Sequence, residues 1–159
     1  MNERTTKVTE DSELRRQLND LRKSVIGSAI EVHRALRPGL LESAYEICLC
    51  RELNIRQIQF QRQLPIPLEY KGVKLDCGYR SDVIVDETVL LEVKAVDALL
   101  PIHEAQLLSY LKLTGLSVGL LIKFNVELLR DGIRRRVLHS GPPVFRSVSS
   151  VLSVVNSKR

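Results

Sequence analysis

An α/β domain is predicted by three features of this chain. A strand-like run at 89–96, a helical run at 103–113 opened by Pro101 and closed by Thr114-Gly115, and an apolar run at 117–124 follow one another in β-α-β order. Such a unit places its two strands parallel, with a right-handed crossover. The 117–124 run reads as a strand covered on both faces. Two amphipathic helical stretches precede the strands. With 159 residues and 44% hydrophobic content, the chain is large enough for one core without disulfides or structural metal.

Residues 1–11 are polar and mixed in charge, and are expected to form a disordered arm ahead of a domain at 12–138. From Ser12 onward Leu14, Leu18, Leu21, Val25, Ala29, Val32 and Leu36 recur at three- and four-residue steps, the stripe of one long helix. Arg37-Pro38-Gly39 ends it, because proline disfavours a helical predecessor. A second helix is expected over 40–53. Segment 57–70 alternates apolar residues with polar ones and prolines, as one or two half-exposed strands near a sheet edge do. Lys71-Gly72 reads as a turn, 73–85 as a strand with a break at Gly78, and 126–138 as a hairpin about Asp131-Gly132. The stretch 139–159, which ends in Lys158-Arg159, is expected to be a flexible tail.

Cys48, Cys50 and Cys77 form neither a CxxC pair nor an even disulfide set, which suits core thiols in a reducing, cytoplasmic compartment. The first thirty residues have no signal-peptide core, and no apolar run is long enough to span a membrane. The net charge of +5, with Arg15, Arg16, Arg22 and Lys23 near one end and Arg130, Arg134, Arg135 and Arg136 near the other, admits a polyanionic partner. A solvated surface explains the same charges.

The chemistry concentrates at 81–110. Within 89–96 the residues Val89, Leu91, Val93 and Ala95 share one face, and Leu90, Glu92, Lys94 and Val96 the other. If Asp86-Glu87-Thr88 is a three-residue loop, Val85 pairs with Val89 and Asp82 falls opposite Glu92. Two carboxylates across a ladder repel, and a cation between them relieves the repulsion. A slip of one residue would send Glu92 to the other face. Asp82, Glu92, the Val93 carbonyl and waters make an oxygen-rich shell suited to Mg²⁺ or Mn²⁺ rather than zinc. Lys94 could orient or deprotonate a water, or neutralise charge developing on a phosphate. Gln106 and Tyr110 lie at i and i+4 of the next helix, with His103 one turn earlier, so all three can border one cleft. Glu42 has two readings: a carboxylate favourable at a helix N-terminus, or a supporting acid with Tyr45 one turn on. An acid-x-lysine pair alone is more often a surface salt bridge, and His103 is as readily a helix-start residue.

At these residues the sequence resembles the PD-(D/E)XK nuclease superfamily, and within it the GxxExxY family. The words are Gly39-Leu-Leu-Glu42-Ser-Ala-Tyr45, Tyr79-Arg80-Ser81-Asp82, Leu91-Glu92-Val93-Lys94-Ala95-Val96, and His103-Glu-Ala-Gln106-Leu-Leu-Ser-Tyr110 with Gly115 behind them. The resemblance implies an αβββαβ core of restriction-endonuclease type, with a mixed central sheet flanked by helices. It assigns metal binding to Asp82 and Glu92, the catalytic lysine to Lys94 and a supporting acid to Glu42, and it matches Gln106 and Tyr110 to a glutamine-xxx-tyrosine motif. Tyr45, Arg80, His103 and Tyr110 become the residues expected to meet substrate. Ser81 stands where the superfamily name has proline, and Lys123-Phe124-Asn125 where asparagine-phenylalanine-glycine is expected. The implied activity is magnesium-dependent phosphodiester hydrolysis on nucleic acid, DNA ahead of RNA. A non-catalytic nucleic-acid or protein-binding module on the same fold, and a structural homodimer, are the alternatives.

Overall fold

The computed structural model describes residues 3–139, so all but His139 of the tail expected at 139–159 lies outside the described residues. Helix α1 spans Glu3–Leu36 and is already formed where the sequence suggested a disordered arm. Residues 3–11 contain no glycine or proline, and the exposed turns are stitched by short-range pairs. Ser12 donates to the Thr9 carbonyl at 2.8 Å, Arg15 meets Asp11 at 3.0 Å, and Arg16 meets Glu13 at 2.6 Å. Each such pair adds only about 0.2–0.5 kcal/mol, and the apolar stripe further along carries the packing. Val25, Ala29 and Val32 are buried. Ahead of Pro38, Arg37 takes a left-handed backbone at φ 59° and the helix stops.

Helix α2 follows as Glu42–Ile55. The chain then makes β1 (Phe60–Pro65), β2 (Leu68–Tyr70), β3 (Val73–Leu75), β4 (Arg80–Val85) and β5 (Val89–Lys94), helix α3 (Pro101–Thr114), β6 (Val118–Lys123) and β7 (Ile133–Val137). Five strands form one mixed sheet in the order β1-β4-β5-β6-β7, with β5 and β6 parallel and the other neighbours antiparallel. As expected, β5 and β6, joined through α3, run parallel. β2 and β3 form a separate small hairpin about Lys71-Gly72, so the strand expected over 73–85 is two strands. Gly78 divides them at φ 72°, where its amide donates to the Asp76 side chain at 3.0 Å.

The hairpin expected within 126–138 does not form. Residues Leu129–Gly132 wind into a short 3-10 turn, and only β7 adds to the sheet, as the partner of β6. Asp131-Gly132 resembles a hairpin turn in composition, but Gly132 serves another purpose. A Cβ there would overlap the carbonyl oxygen of Lys123, so the glycine lets the turn lie directly on the end of β6.

Two apolar layers hold the sheet. On one face α1 and α2 bring Val25, Ala29, Val32, Tyr45, Leu49 and Leu53 against Val83, Val85, Val89, Leu91, Val93 and Leu120. On the other, Leu107, Tyr110 and Leu111 of α3 pack against Ile84, Leu90 and Leu121. The alternation of β5 therefore sends Glu92, in line with Leu90, to the α3 face. Cys50 is buried and Cys48 half-buried, but Cys77 is exposed on the linker between β3 and β4, which corrects its assignment to the core. No helix among the described residues is long and apolar enough to cross a membrane. Gly132→Ala should lower stability by about 1–3 kcal/mol through overpacking, measurable as a lower urea midpoint with an unchanged slope.

Candidate active site

The loop between β4 and β5 sets the geometry. Asp86 and Glu87 turn through left-handed conformations at φ 48° and 52°, so Val85 pairs with Val89, Ile84 with Leu90 and Val83 with Leu91. The same register carried one step further sets Asp82 across from Glu92. Asp82 is anchored there: its Oδ2 accepts the Val93 amide at 2.7 Å. Glu92 is 2% exposed, and its Oε2 lies 3.5 Å from the Lys94 ammonium, itself largely buried. The other oxygen, Oε1, is buried without a hydrogen-bond partner. An ionised oxygen in that condition is costly unless a cation or proton meets it.

The electrostatics agree. Burial pushes the Glu92 carboxyl up to about 8, and the Asp82 carboxylate adds to the rise, while Lys94 and the nearby Asp82 backbone amide oppose it. Asp82 is raised for the same first reason, burial. The Val93 amide and Lys94 oppose that rise, whereas Glu46 and Glu42 add to it. Several acids thus share one region of low dielectric.

Helix α2 supplies two of them. Glu42, in its first turn, accepts the Ala95 amide at 3.1 Å and so fastens the chain immediately beyond Lys94. One turn later Glu46 is 5% exposed, ion-paired to Arg62 and hydrogen-bonded to Gln63, whose amide donates to both carboxylate oxygens at 2.9 Å. Glu46 carries a sequence signal of its own, since its i, i+4 spacing from Glu42 places both on one helix face.

The remaining expected residues divide. On α3 the Gln106 amide donates to the Tyr110 hydroxyl at 3.0 Å, and Tyr110 is buried with its ring 6.1 Å from that of Tyr79. His103 uses Nδ1 to accept the Leu100 amide at 3.1 Å, so it caps α3. Arg80 is exposed and donates to the Gln63 carbonyl at 3.1 Å. Tyr45 does not border the cleft. It is fully buried, stacked on Phe124 at 4.4 Å, and its hydroxyl donates to the Arg37 carbonyl and accepts the Leu40 amide. It belongs to the α1–α2 joint, which corrects its expected contact with substrate.

Beyond β5 the chain is fastened again. Phe124 donates its amide to the Lys94 carbonyl at 2.8 Å, while Lys123 and Asn125 hold Asp97 by its carbonyl and carboxylate. The departures at Lys123 and Asn125 thus tie down the loop after β5. An open cleft of about 610 Å³ lies beside it, bordered by Arg37, Pro38, Asp97, Asn125, Val126 and Glu127. It sits beyond the carboxyl ends of the parallel strands, where α/β sheets characteristically take ligands.

Among the described residues no three His, Cys, Asp or Glu side chains form a metal-holding group. The donor set is two carboxylates and backbone, which fits a hard cation that keeps much of its water, and the partnerless Glu92 Oε1 is the atom such a cation would satisfy. The chain belongs to the PD-(D/E)XK nuclease superfamily, whose family model matches residues 19–136. Members typically use Mg²⁺ or Mn²⁺. Neither the curated proteins nor the solved structures include a match to the chain.

Two measurements check this description. Because the folded protein holds a proton on Glu92 that the unfolded chain releases near its ordinary 4.5, Glu92 favours folding most below pH 4.5. That advantage should be lost, to roughly 4 kcal/mol, as pH rises to about 8. Glu92→Gln should remove most of this slope in metal-free denaturation. Tyr45→Phe should cost about 1–2 kcal/mol of stability by leaving the Leu40 amide and Arg37 carbonyl without their shared hydroxyl, with substrate affinity unchanged.

Proposed function

We propose that the protein is a Mg²⁺- or Mn²⁺-dependent nuclease of the GxxExxY kind, hydrolysing phosphodiester bonds in DNA or RNA. The observation that carries the reading is the buried Glu92, with one oxygen unpartnered, beside Asp82 and Lys94. A surface salt bridge, the simpler meaning of an acid-x-lysine pair, is exposed, whereas Lys94 is 12% and Glu92 2% exposed in their side chains.

Asp82 and Glu92 hold the cation in this reading, with the Val93 carbonyl as a third donor. When bound, the ion supplies Lewis acidity toward a phosphate oxygen and acidifies a water. Lys94 stabilises charge developing on the phosphate and orients the attacking water, within a site dry enough for its ammonium to act strongly. Glu42 holds the Ala95 amide and thereby the backbone that carries Lys94. Gln106, steadied by Tyr110, faces the substrate from α3, and Arg80 at the exposed start of β4 contacts its backbone.

Support from overall charge is limited. Of the eight cations named from the sequence, Arg15, Arg16, Lys23, Arg130 and Arg136 have acidic partners and Arg22 is half-buried beside Arg135, so Arg134 and Arg135 are the exposed ones without an acidic partner, both on β7. Purified protein should cut nucleic acid in Mg²⁺ or Mn²⁺. Lys94→Ala should reduce cleavage about 10²–10⁴-fold and Glu92→Ala at least as much, while both variants stay folded. Cleavage that survives both changes would overturn the assignment, and binding without cleavage in the wild type would favour a non-catalytic module.

A further inference from the structure

Gln63 is a non-glycine residue in the middle of β1 with φ 53°. On either side of it the ladder to β4 is regular, with Arg62 opposite Val83 and Leu64 opposite Ser81, so Gln63 falls opposite Asp82. In a regular strand successive side chains point to opposite faces. Here Arg62 and Gln63 both reach Glu46 of α2, while Leu64 packs into the layer formed with α3. Two consecutive residues meet one carboxylate because the backbone at Gln63 has turned over. The side chain that regular pairing would set beside Asp82 on the α3 face is therefore drawn to the α2 face.

A left-handed conformation is disfavoured for glutamine by roughly fivefold or more relative to glycine, so something must hold it. Glu46 accepts the Gln63 amide on both oxygens, and the Arg80 guanidinium takes the Gln63 carbonyl. Strain of this kind, fixed by its surroundings, collects at functional sites. Asp82 thus has Glu92 across from it on β5 and the turned-over Gln63, between Arg62 and Leu64, across from it on β1.

We propose that Gln63 is a positioning residue: its turned-over backbone, locked by Glu46, fixes how β1 lies against β4 beside Asp82, so that Asp82 stays on the Val93 amide and a hydrated divalent cation fits between Asp82 and Glu92. The cation rests on the nuclease reading above. The backbone lock does not, and the two are separable by experiment.

Glycine occupies φ > 0 readily, asparagine tolerates it and alanine resists it. In the full-length protein, Gln63→Gly should leave the Val93 amide resonance where it is in the wild type. Gln63→Ala should move it as Asp82 loses its position, and Gln63→Asn should restore it. Titration with Mn²⁺ alone should follow the same order, with affinity within about twofold of wild type for glycine and asparagine and reduced roughly fivefold or more for alanine. Equal responses of glycine and alanine, or no response of the Val93 amide to either, would overturn the proposal. If the Val93 resonance follows the predicted order but the wild type takes up no Mn²⁺, the positioning role stands and the nuclease reading fails.

Discussion

The site depends on the three-residue loop at 86–88. Two left-handed residues there let Val85 pair with Val89, and that register alone decides that Glu92 lies across from Asp82 and on the α3 face. A shift of one residue would exchange Glu92 with Val93, turning a carboxylate into the apolar layer under α1 and α2 and a valine toward α3. The apolar residues around it resist the shift. Val89, Leu91 and Val93 each have buried partners on the α2 side and Leu90 on the α3 side, so the core selects the register and the register places the charges.

Within that frame the acids oppose folding. Glu92 and Asp82 are both raised by burial, and Glu42 and Glu46 add negative charge nearby. Three of the four carboxylates are tied to donors that do not neutralise them fully. Asp82 takes the Val93 amide, Glu42 takes the Ala95 amide, and Glu46 takes the amide of Gln63 beside its ion pair with Arg62. Glu92 has Lys94 on one oxygen and no full hydrogen bond on the other, with only the Asp82 amide near enough to offset part of its raised pKa. The apolar layers on both faces must outweigh this cost, and a cation would remove much of it.

Much of the site was legible because it follows from alternation along one strand. Period two put Glu92 and Lys94 on one face, the loop length put Asp82 opposite, and the β-α-β order placed α3 over them. What failed to read involves long-range packing. Asp131-Gly132 carries hairpin composition, yet its glycine answers to the Lys123 carbonyl, which no local pattern reveals. Tyr45 has the spacing of a cleft residue, but stacking on Phe124 and two backbone bonds on its hydroxyl place it in a joint. Glu46 could have been found from its spacing to Glu42. The left-handed backbone of Gln63 could not, because glutamine carries no local preference for it.

The supports of β5 explain why so much of the chain answers to one strand end. Ala95 is held by Glu42 from α2, the Lys94 carbonyl by Phe124 from β6, and Asp97 by Lys123 and Asn125. Phe124 in turn stacks on Tyr45, which closes the α1–α2 joint, and His33 of α1 bonds the Val126 carbonyl just beyond β6 at 2.8 Å. Each helix of the first layer therefore reaches the segment that follows Glu92 and Lys94 or the strand beside it. A lysine on a strand end with loose neighbours would sample many positions, and its charge would be dissipated in solvent. Fastened on both sides, Lys94 keeps its ammonium against Glu92 in a dry setting, which is the condition under which a single positive charge acts strongly on a phosphate.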